Sequence, residues 1–170
     1  MNIGLIIDES SAFVAFERDK LFESWGADKG QIQLAHTLAD VGQSTLFGDT
    51  PFSVIQLEDK NVVKAFVDEL KKADMGNFQR LATPGLIITT NVARTATRTL
   101  EKLIKDAGGV VVLAKEHKNE NPAVSIVDSM SLKADVAKFL KEFAGTDYEI
   151  VLGVANTLSK LPPAKQRLVT

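Results

Sequence analysis

The acidic pair Asp8-Glu9 is the first place in this chain where side chains could do chemistry. It follows a short apolar run, Ile3–Ile7, and so stands where a nucleotide-binding α/β protein carries a glycine-rich phosphate loop. The stretch Asp8–Phe13 contains neither glycine nor lysine, and its two carboxylates would repel a phosphate group. We therefore expect no phosphate loop and no nucleotide cofactor.

Other polar groups also favour structural roles over catalysis. Glu58-Asp59 follows an apolar run and is expected to cap the next helix, and Thr89-Thr90-Asn91 is expected to satisfy backbone groups at a strand end. His36 and His117 have no second ligand at a metal-like spacing, so no metal site is expected. The chain has no cysteine, and with no catalytic constellation visible we do not expect an enzyme.

The five residues Gln43-Ser44-Thr45-Leu46-Phe47 are the most informative segment of the chain. Turn-forming residues, Gly48 to Pro51, follow at once and should lift the Leu-Phe pair out of regular structure. The segment matches the pentapeptide, written roughly Q-x-(S/D)-L-F, with which bacterial replication proteins bind the ring-shaped sliding clamp. The alternative is that Leu46 and Phe47 are core residues at the end of a helix.

A second interaction surface is suggested by two arginines. Arg94 and Arg98 lie four residues apart, and Lys102 and Lys105 follow them on the same predicted helix. This face could contact DNA phosphates or an acidic partner, and the alternative is a solvated helix face. Twenty basic against twenty-two acidic residues give a net charge of −2, so the chain as a whole is not a strongly basic nucleic-acid binder.

Apolar periodicity predicts the elements that position these groups. Continuous apolar runs typical of buried parallel strands occur at Ile3–Ile7, Phe52–Leu57, Leu86–Thr89 and Val110–Leu113. Helical patterns separate them: one follows Ser10-Ser11, a shorter one covers Gln33–Val41, one contains Val62 to Leu70, and one runs from Thr95 to a stop at Gly108-Gly109. This alternation predicts an α/β fold with a parallel sheet flanked by helices.

The character of the sequence changes after residue 113. A polar stretch is followed by two helical patterns with no strand, so we divide the chain into an α/β domain, 1–127, and a small helical subdomain, 128–170. The first helix is expected over Ser131–Ala144, and the second, capped by Thr146, is expected to bury Ile150, Val151, Val154 and Leu158. The lack of cysteine, of a signal peptide and of a membrane span favours a cytoplasmic protein.

The chain resembles the delta subunit family of the bacterial DNA polymerase III clamp loader. Three segments together carry the resemblance: QSTLFGDTPFSVIQLED, GLIITTNVARTATRTLEKLIKDAGGVVVL and SLKADVAKFLKEF. The resemblance implies an AAA+-like domain without a phosphate loop, followed by a partial helical lid. The family then carries a C-terminal helical collar, for which this sequence has no counterpart, so we expect either a fragment or a shortened relative. The resemblance also implies clamp binding through Gln43, Thr45, Leu46 and Phe47, with Leu46 and Phe47 entering a pocket of the clamp. The implied partners are the sliding clamp and the other clamp-loader subunits, with DNA bound only indirectly, no membrane contact and no cofactor.

Two rival functions remain open from the sequence. One is an atypical small nucleotide-binding hydrolase, and the other is a structural subunit of a replication complex that does not touch the clamp. Nucleotide binding would favour the first, and binding to loader subunits without clamp binding would favour the second.

Overall fold

The computed structural model divides the chain into two units, Met1–Ala114 and Lys115–Thr170. The predicted boundary after residue 127 falls in a stretch described only in part, so it stays a prediction. The structure describes residues 2–9, 13–27, 32–43, 51–73, 84–114, 124, 127–128, 130–143, 148–162 and 165–166.

A five-stranded sheet with every pair parallel forms the centre of the first unit. Its strands are β1 Ile3–Ile7, β2 Ile32–Ala35, β3 Phe52–Leu57, β4 Leu86–Thr90 and β5 Val110–Leu113. They lie in the order β2-β3-β4-β1-β5, so β1 pairs with both β4 and β5. Every residue of β1 and β4 is buried, which is why their sequences are continuously apolar or small. The predicted α/β class and parallel sheet are confirmed.

Helices cover both faces of this sheet. On one face, α1 (Val14–Ser24) packs Phe22 against Ile6 and Phe52. On the other, α2 (Lys60–Lys72) and α3 (Arg94–Asp106) lie against each other and against β1 and β3. Their apolar stripes complete the larger core cluster with Val63, Phe66, Val67, Leu70, Leu100 and Ile104.

Local sequence signals set the ends of these helices. As predicted, Asp59 caps α2, because its Oδ1 accepts the N–H groups of Asn61 (2.7 Å) and Val62 (3.0 Å). The predicted glycine stop after α3 is also confirmed: Gly108 has a φ of 77°, and the Gly109 N–H donates to the Ile104 carbonyl at 2.8 Å. The predicted Ser10-Ser11 cap of α1 lies outside the described residues.

The predicted helix over Gln33–Val41 is wrong. Residues Ile32–Ala35 form β2, which pairs in register with β3 at the edge of the sheet, and Leu38–Asp40 form a single 3₁₀ turn. Backbone hydrogen bonds to β3 stabilise β2 on one side. This pairing joins separate parts of the chain, so the local apolar pattern does not predict it. His36, expected in a helix, instead lies exposed just after the strand.

The second unit contains helices α4 (Ala134–Phe143) and α5 (Tyr148–Ser159), and the part of it that is described has no strand. Val151 is buried as predicted, but Ile150 is 65% exposed and Val154 40% exposed, so the prediction that these two are core residues is wrong. Ala155 is fully buried, and because it lies four residues after Val151, these two residues share the buried side of α5. The predicted Thr146 cap lies outside the described residues. None of the helices that the structure describes is long and apolar enough to cross a membrane.

Candidate functional site

The carboxyl ends of β1 and β4 form the first candidate site. These two strands are neighbours, yet the helices that follow them, α1 and α3, lie on opposite faces of the sheet. In open parallel sheets this arrangement leaves a crevice in which ligands bind. The residues at this edge therefore decide whether the chain can hold a phosphate.

Two carboxylates of the chain itself occupy this edge. Asp8 is buried, its N–H donates to the Thr90 carbonyl (3.0 Å), and its Oδ2 accepts the Phe13 N–H (2.7 Å) just before α1. Glu9 Oε1 accepts the Arg94 N–H at the start of α3 through a long bond of 3.5 Å. Backbone N–H groups at helix starts are the groups that would bind phosphate. Here carboxylates already accept from them and would repel an incoming anion.

The polar residues at the end of β4 serve the backbone, as the sequence predicted. Thr90 is 2% exposed; its hydroxyl donates to the Leu57 carbonyl (2.8 Å) and accepts the Val92 N–H (3.1 Å). The neighbouring Thr89 hydroxyl makes a longer bond of 3.5 Å to the Ile55 carbonyl. The Thr90 side chain therefore joins two strands and the start of a loop.

The arginines Arg94 and Arg98 differ in their surroundings. Arg94 pairs with Glu101 two turns further along α3, with Nε 3.3 Å from Oε1 and Nη2 3.4 Å from Oε2. The Glu101 side chain is 8% exposed and that of Arg94 is 54% exposed. Thr97 adds a hydroxyl contact of 3.4 Å to the same carboxylate. Arg94 thus neutralises a buried acid, whereas Arg98 lies exposed on the helix surface.

A basic surface emerges because α2 and α3 pack side by side. These two helices carry eight basic and four acidic residues, a net charge of +4, in a chain whose net charge is −2. All eight basic residues are exposed: Lys60, Lys64, Lys71, Lys72, Arg94, Arg98, Lys102 and Lys105. Reading each helix separately missed this surface, which we call the basic face.

The turn before the pentapeptide is the third candidate site. Gln43 is exposed, and its Nε2 donates to the Ala39 carbonyl of the 3₁₀ turn at 2.8 Å. The other predicted clamp-binding residues, Thr45, Leu46 and Phe47, lie outside the described residues. In the chain, the pentapeptide follows β2 and its turn and precedes β3.

No protein-family model matches the chain, and no curated protein matches its sequence. Within the part of the chain that the structure describes, no group of three or more His, Cys, Asp or Glu side chains could hold a metal ion. His117 lies outside that part.

Proposed function

We propose that this protein is a non-catalytic component of a bacterial clamp loader that binds the sliding clamp and helps to open it. The observation that carries the proposal is the pentapeptide Gln43–Phe47, which has the glutamine, leucine and phenylalanine of the clamp-binding motif, with Thr45 at the position of Ser or Asp. The five-stranded parallel α/β fold agrees with the architecture that the delta-subunit resemblance implies. The carboxylates of Asp8 and Glu9 at the helix starts favour this function over that of a nucleotide hydrolase.

Clamp opening in this proposal needs no chemistry. A ligand shifts a conformational equilibrium only by as much as it binds one state better than the other. Leu46 and Phe47 would supply the affinity, since burying such side chains contributes about 1.5–3 kcal/mol each. The remaining contacts would have to favour the open ring over the closed one.

The test is the affinity of the whole chain for a purified bacterial sliding clamp, measured by surface-captured binding with a QLSLF-type peptide as competitor. Replacing Leu46 and Phe47 by alanine should cost about 3 kcal/mol or more, a loss of affinity above about a hundredfold. Val62→Ala with Val110→Ala is the matched control, because it removes two other side chains that are 41% and 45% exposed. Binding that the peptide does not displace, or that survives the Leu46/Phe47 change, would refute the proposal.

The two rivals have tests of their own. Calorimetry with ATP separates a nucleotide hydrolase, because measurable binding would count against the clamp-binding proposal. Pull-downs with the clamp and, separately, with loader ATPase subunits identify a structural subunit, which would bind only the latter.

We further propose that the basic face contacts DNA directly, in addition to the indirect contact that the resemblance implies. The supporting observation is that α2 and α3 pack against each other and together carry a net charge of +4, with all eight basic side chains exposed. Lysine and arginine contacts to phosphates release counterions, so the affinity should fall steeply with salt.

Fluorescence anisotropy with labelled duplex DNA over a salt series tests this contact. Lys64→Glu with Arg98→Glu should weaken binding and lower the salt slope by about 2, roughly one for each lost phosphate contact. Lys138→Glu with Lys160→Glu is the charge-matched control on exposed residues of the second unit. An equal loss of DNA affinity in both variants would show that only the net charge of the protein matters. Unchanged DNA affinity of the first variant would exclude the basic face as the DNA-binding surface.

A further inference from the structure

The turn that leads into Gln43 is organised around a single carboxylate oxygen, Oδ2 of Asp40. It accepts the N–H groups of His36 (3.1 Å) and Thr37 (2.8 Å) and the Thr37 hydroxyl (2.9 Å). The Asp40 N–H in turn donates to the Thr37 carbonyl at 3.2 Å. One side chain therefore closes the turn between the end of β2 and the pentapeptide.

Buried neighbours fix this turn to the core. Leu38 is 7% exposed and Val41 is 4% exposed, so the residues on either side of the Ala39-Asp40 pair are held by packing. Gly42 then adopts a φ of 72°, in the left-handed region that glycine enters at little cost. The direction in which the chain enters the pentapeptide is set by these contacts.

Gln43, the first residue of the pentapeptide, belongs to the same turn. Its side-chain amide donates to the Ala39 carbonyl, next to Asp40 in the chain. The hydrogen bonds of Thr37, chiefly that of its hydroxyl, hold the pKa of Asp40 below its usual value. The carboxylate is therefore ionised at neutral pH and keeps all three of its bonds.

We propose that Asp40 is a positioning residue for clamp binding: by closing the 37–42 turn it fixes Gln43, the first residue of the pentapeptide. This inference rests on the proposed function. A segment that is already ordered at its start pays less conformational entropy when it binds. Asp40 acts through the turn and need not touch the clamp.

The experiment compares Asp40→Ala and Asp40→Asn with Asp68→Ala in the whole chain. Asp68 is an exposed carboxylate on α2 and controls for the loss of one negative charge. We expect Asp40→Ala to weaken clamp binding about tenfold, because each residue left to be ordered on binding costs roughly that factor. Asp40→Asn keeps a side-chain oxygen as acceptor and should restore part of the affinity, whereas Asp68→Ala should bind like wild type.

A double-mutant cycle with Gln43→Ala separates positioning from general stability. If Asp40 acts through the pentapeptide, the losses from Asp40→Ala and Gln43→Ala should be less than additive. Affinities are compared only for variants that circular dichroism shows to be folded. If Asp40→Ala fails to fold, Thr37→Val, which removes one donor to the carboxylate, takes its place and should weaken binding in the same direction.

The outcomes distinguish this inference from the proposed function. Wild-type chain that shows no peptide-displaceable clamp binding overturns both. Wild-type binding combined with unchanged affinity of folded Asp40→Ala, or with strictly additive losses in the cycle, overturns the positioning role and leaves clamp binding intact.

Discussion

Replacing Thr90 by valine should destabilise the first unit far more than the same replacement at its neighbour Thr89. Both residues lie in β4, and they are 2% and 4% exposed. Valine keeps the branched shape that suits a strand and replaces the hydroxyl with a methyl group. The two variants therefore differ in the hydrogen bonds that are lost, and hardly in shape or burial.

The structure allows the difference to be estimated. Thr90→Val removes the 2.8 Å bond to the Leu57 carbonyl and leaves the Val92 N–H without its 3.1 Å acceptor. A lost hydrogen bond costs about 1 kcal/mol, and a buried donor left unsatisfied costs about 1–3 kcal/mol, so we expect about 2–4 kcal/mol in total. Thr89→Val removes only a 3.5 Å bond and should cost less than about 1 kcal/mol.

Urea denaturation followed by tryptophan fluorescence measures this difference. The single tryptophan, Trp25, lies at the end of α1, with its ring centroid 6.0 Å from that of Phe22, and so reports on the first unit. Thr90→Ser, which keeps the hydroxyl, should recover most of the loss. Thr90→Val as stable as wild type, or no more costly than Thr89→Val, would refute the backbone role of this hydroxyl.

Three further predictions concern helix capping, close packing and pH. Asp59→Ala should cost about 1 kcal/mol of unfolding free energy in urea, because α2 loses its N-cap. Gly109→Ala should cost about 1–3 kcal/mol in the same assay, because the added Cβ would lie 2.9 Å from the Ile3 carbonyl oxygen. Gly153 in α5 has open space around it, so Gly153→Ala should stabilise the second unit by about 0.5–1 kcal/mol. The pKa of Asp40 is lower in the folded than in the unfolded chain, so its contribution to stability is complete above the unfolded value and is lost as pH falls through the folded value. Unfolding free energy should therefore fall more steeply below about pH 4 in wild type than in Asp40→Asn.

Each of these predictions has its own control. Glu58→Ala removes the adjacent exposed carboxylate and should leave stability unchanged; an equal loss would point to charge and not to capping. A Gly109→Ala protein as stable in urea as wild type would show that the chain relaxes around the new methyl group. Gly153→Ala is followed by circular dichroism, and a less stable variant would contradict the open space around this glycine. Parallel pH profiles for wild type and Asp40→Asn would contradict the role given to the Asp40 carboxylate.

Much of the first unit could be predicted from local patterns. Continuous apolar runs identified β1, β3, β4 and β5, since strands buried on both faces need apolar residues at every position. The Asp59 cap and the glycine stop after α3 were predictable because they depend on neighbouring residues alone. Edge strand β2 was missed, because four residues with one exposed face carry too little periodicity to separate a strand from a helix.

Some features of the candidate sites could likewise be predicted from the sequence, and others could not. The Gln43–Phe47 motif and the acidic residues at the end of β1 could be read directly, because both are contiguous. The Thr37-x-x-Asp40 spacing, which resembles a capping box, was a signal available in the sequence and not used. The burial of Glu101 and the exposure of Ile150 depend on packing, which no local pattern contains.

The sequence alone determined the pentapeptide, the glycine-free first loop and the parallel α/β class, since composition and short-range spacing are sufficient for each. Only the tertiary structure decided the strand order, which brings β1 beside β4 and so places Glu9 against the start of α3, 85 residues further along the chain. It also decided that α2 and α3 pack against each other, so that two moderately basic helices lie side by side. The physical reason is that these features arise from pairing between residues far apart in the chain, whose energies come from packing and backbone hydrogen bonds and leave no local mark in the sequence.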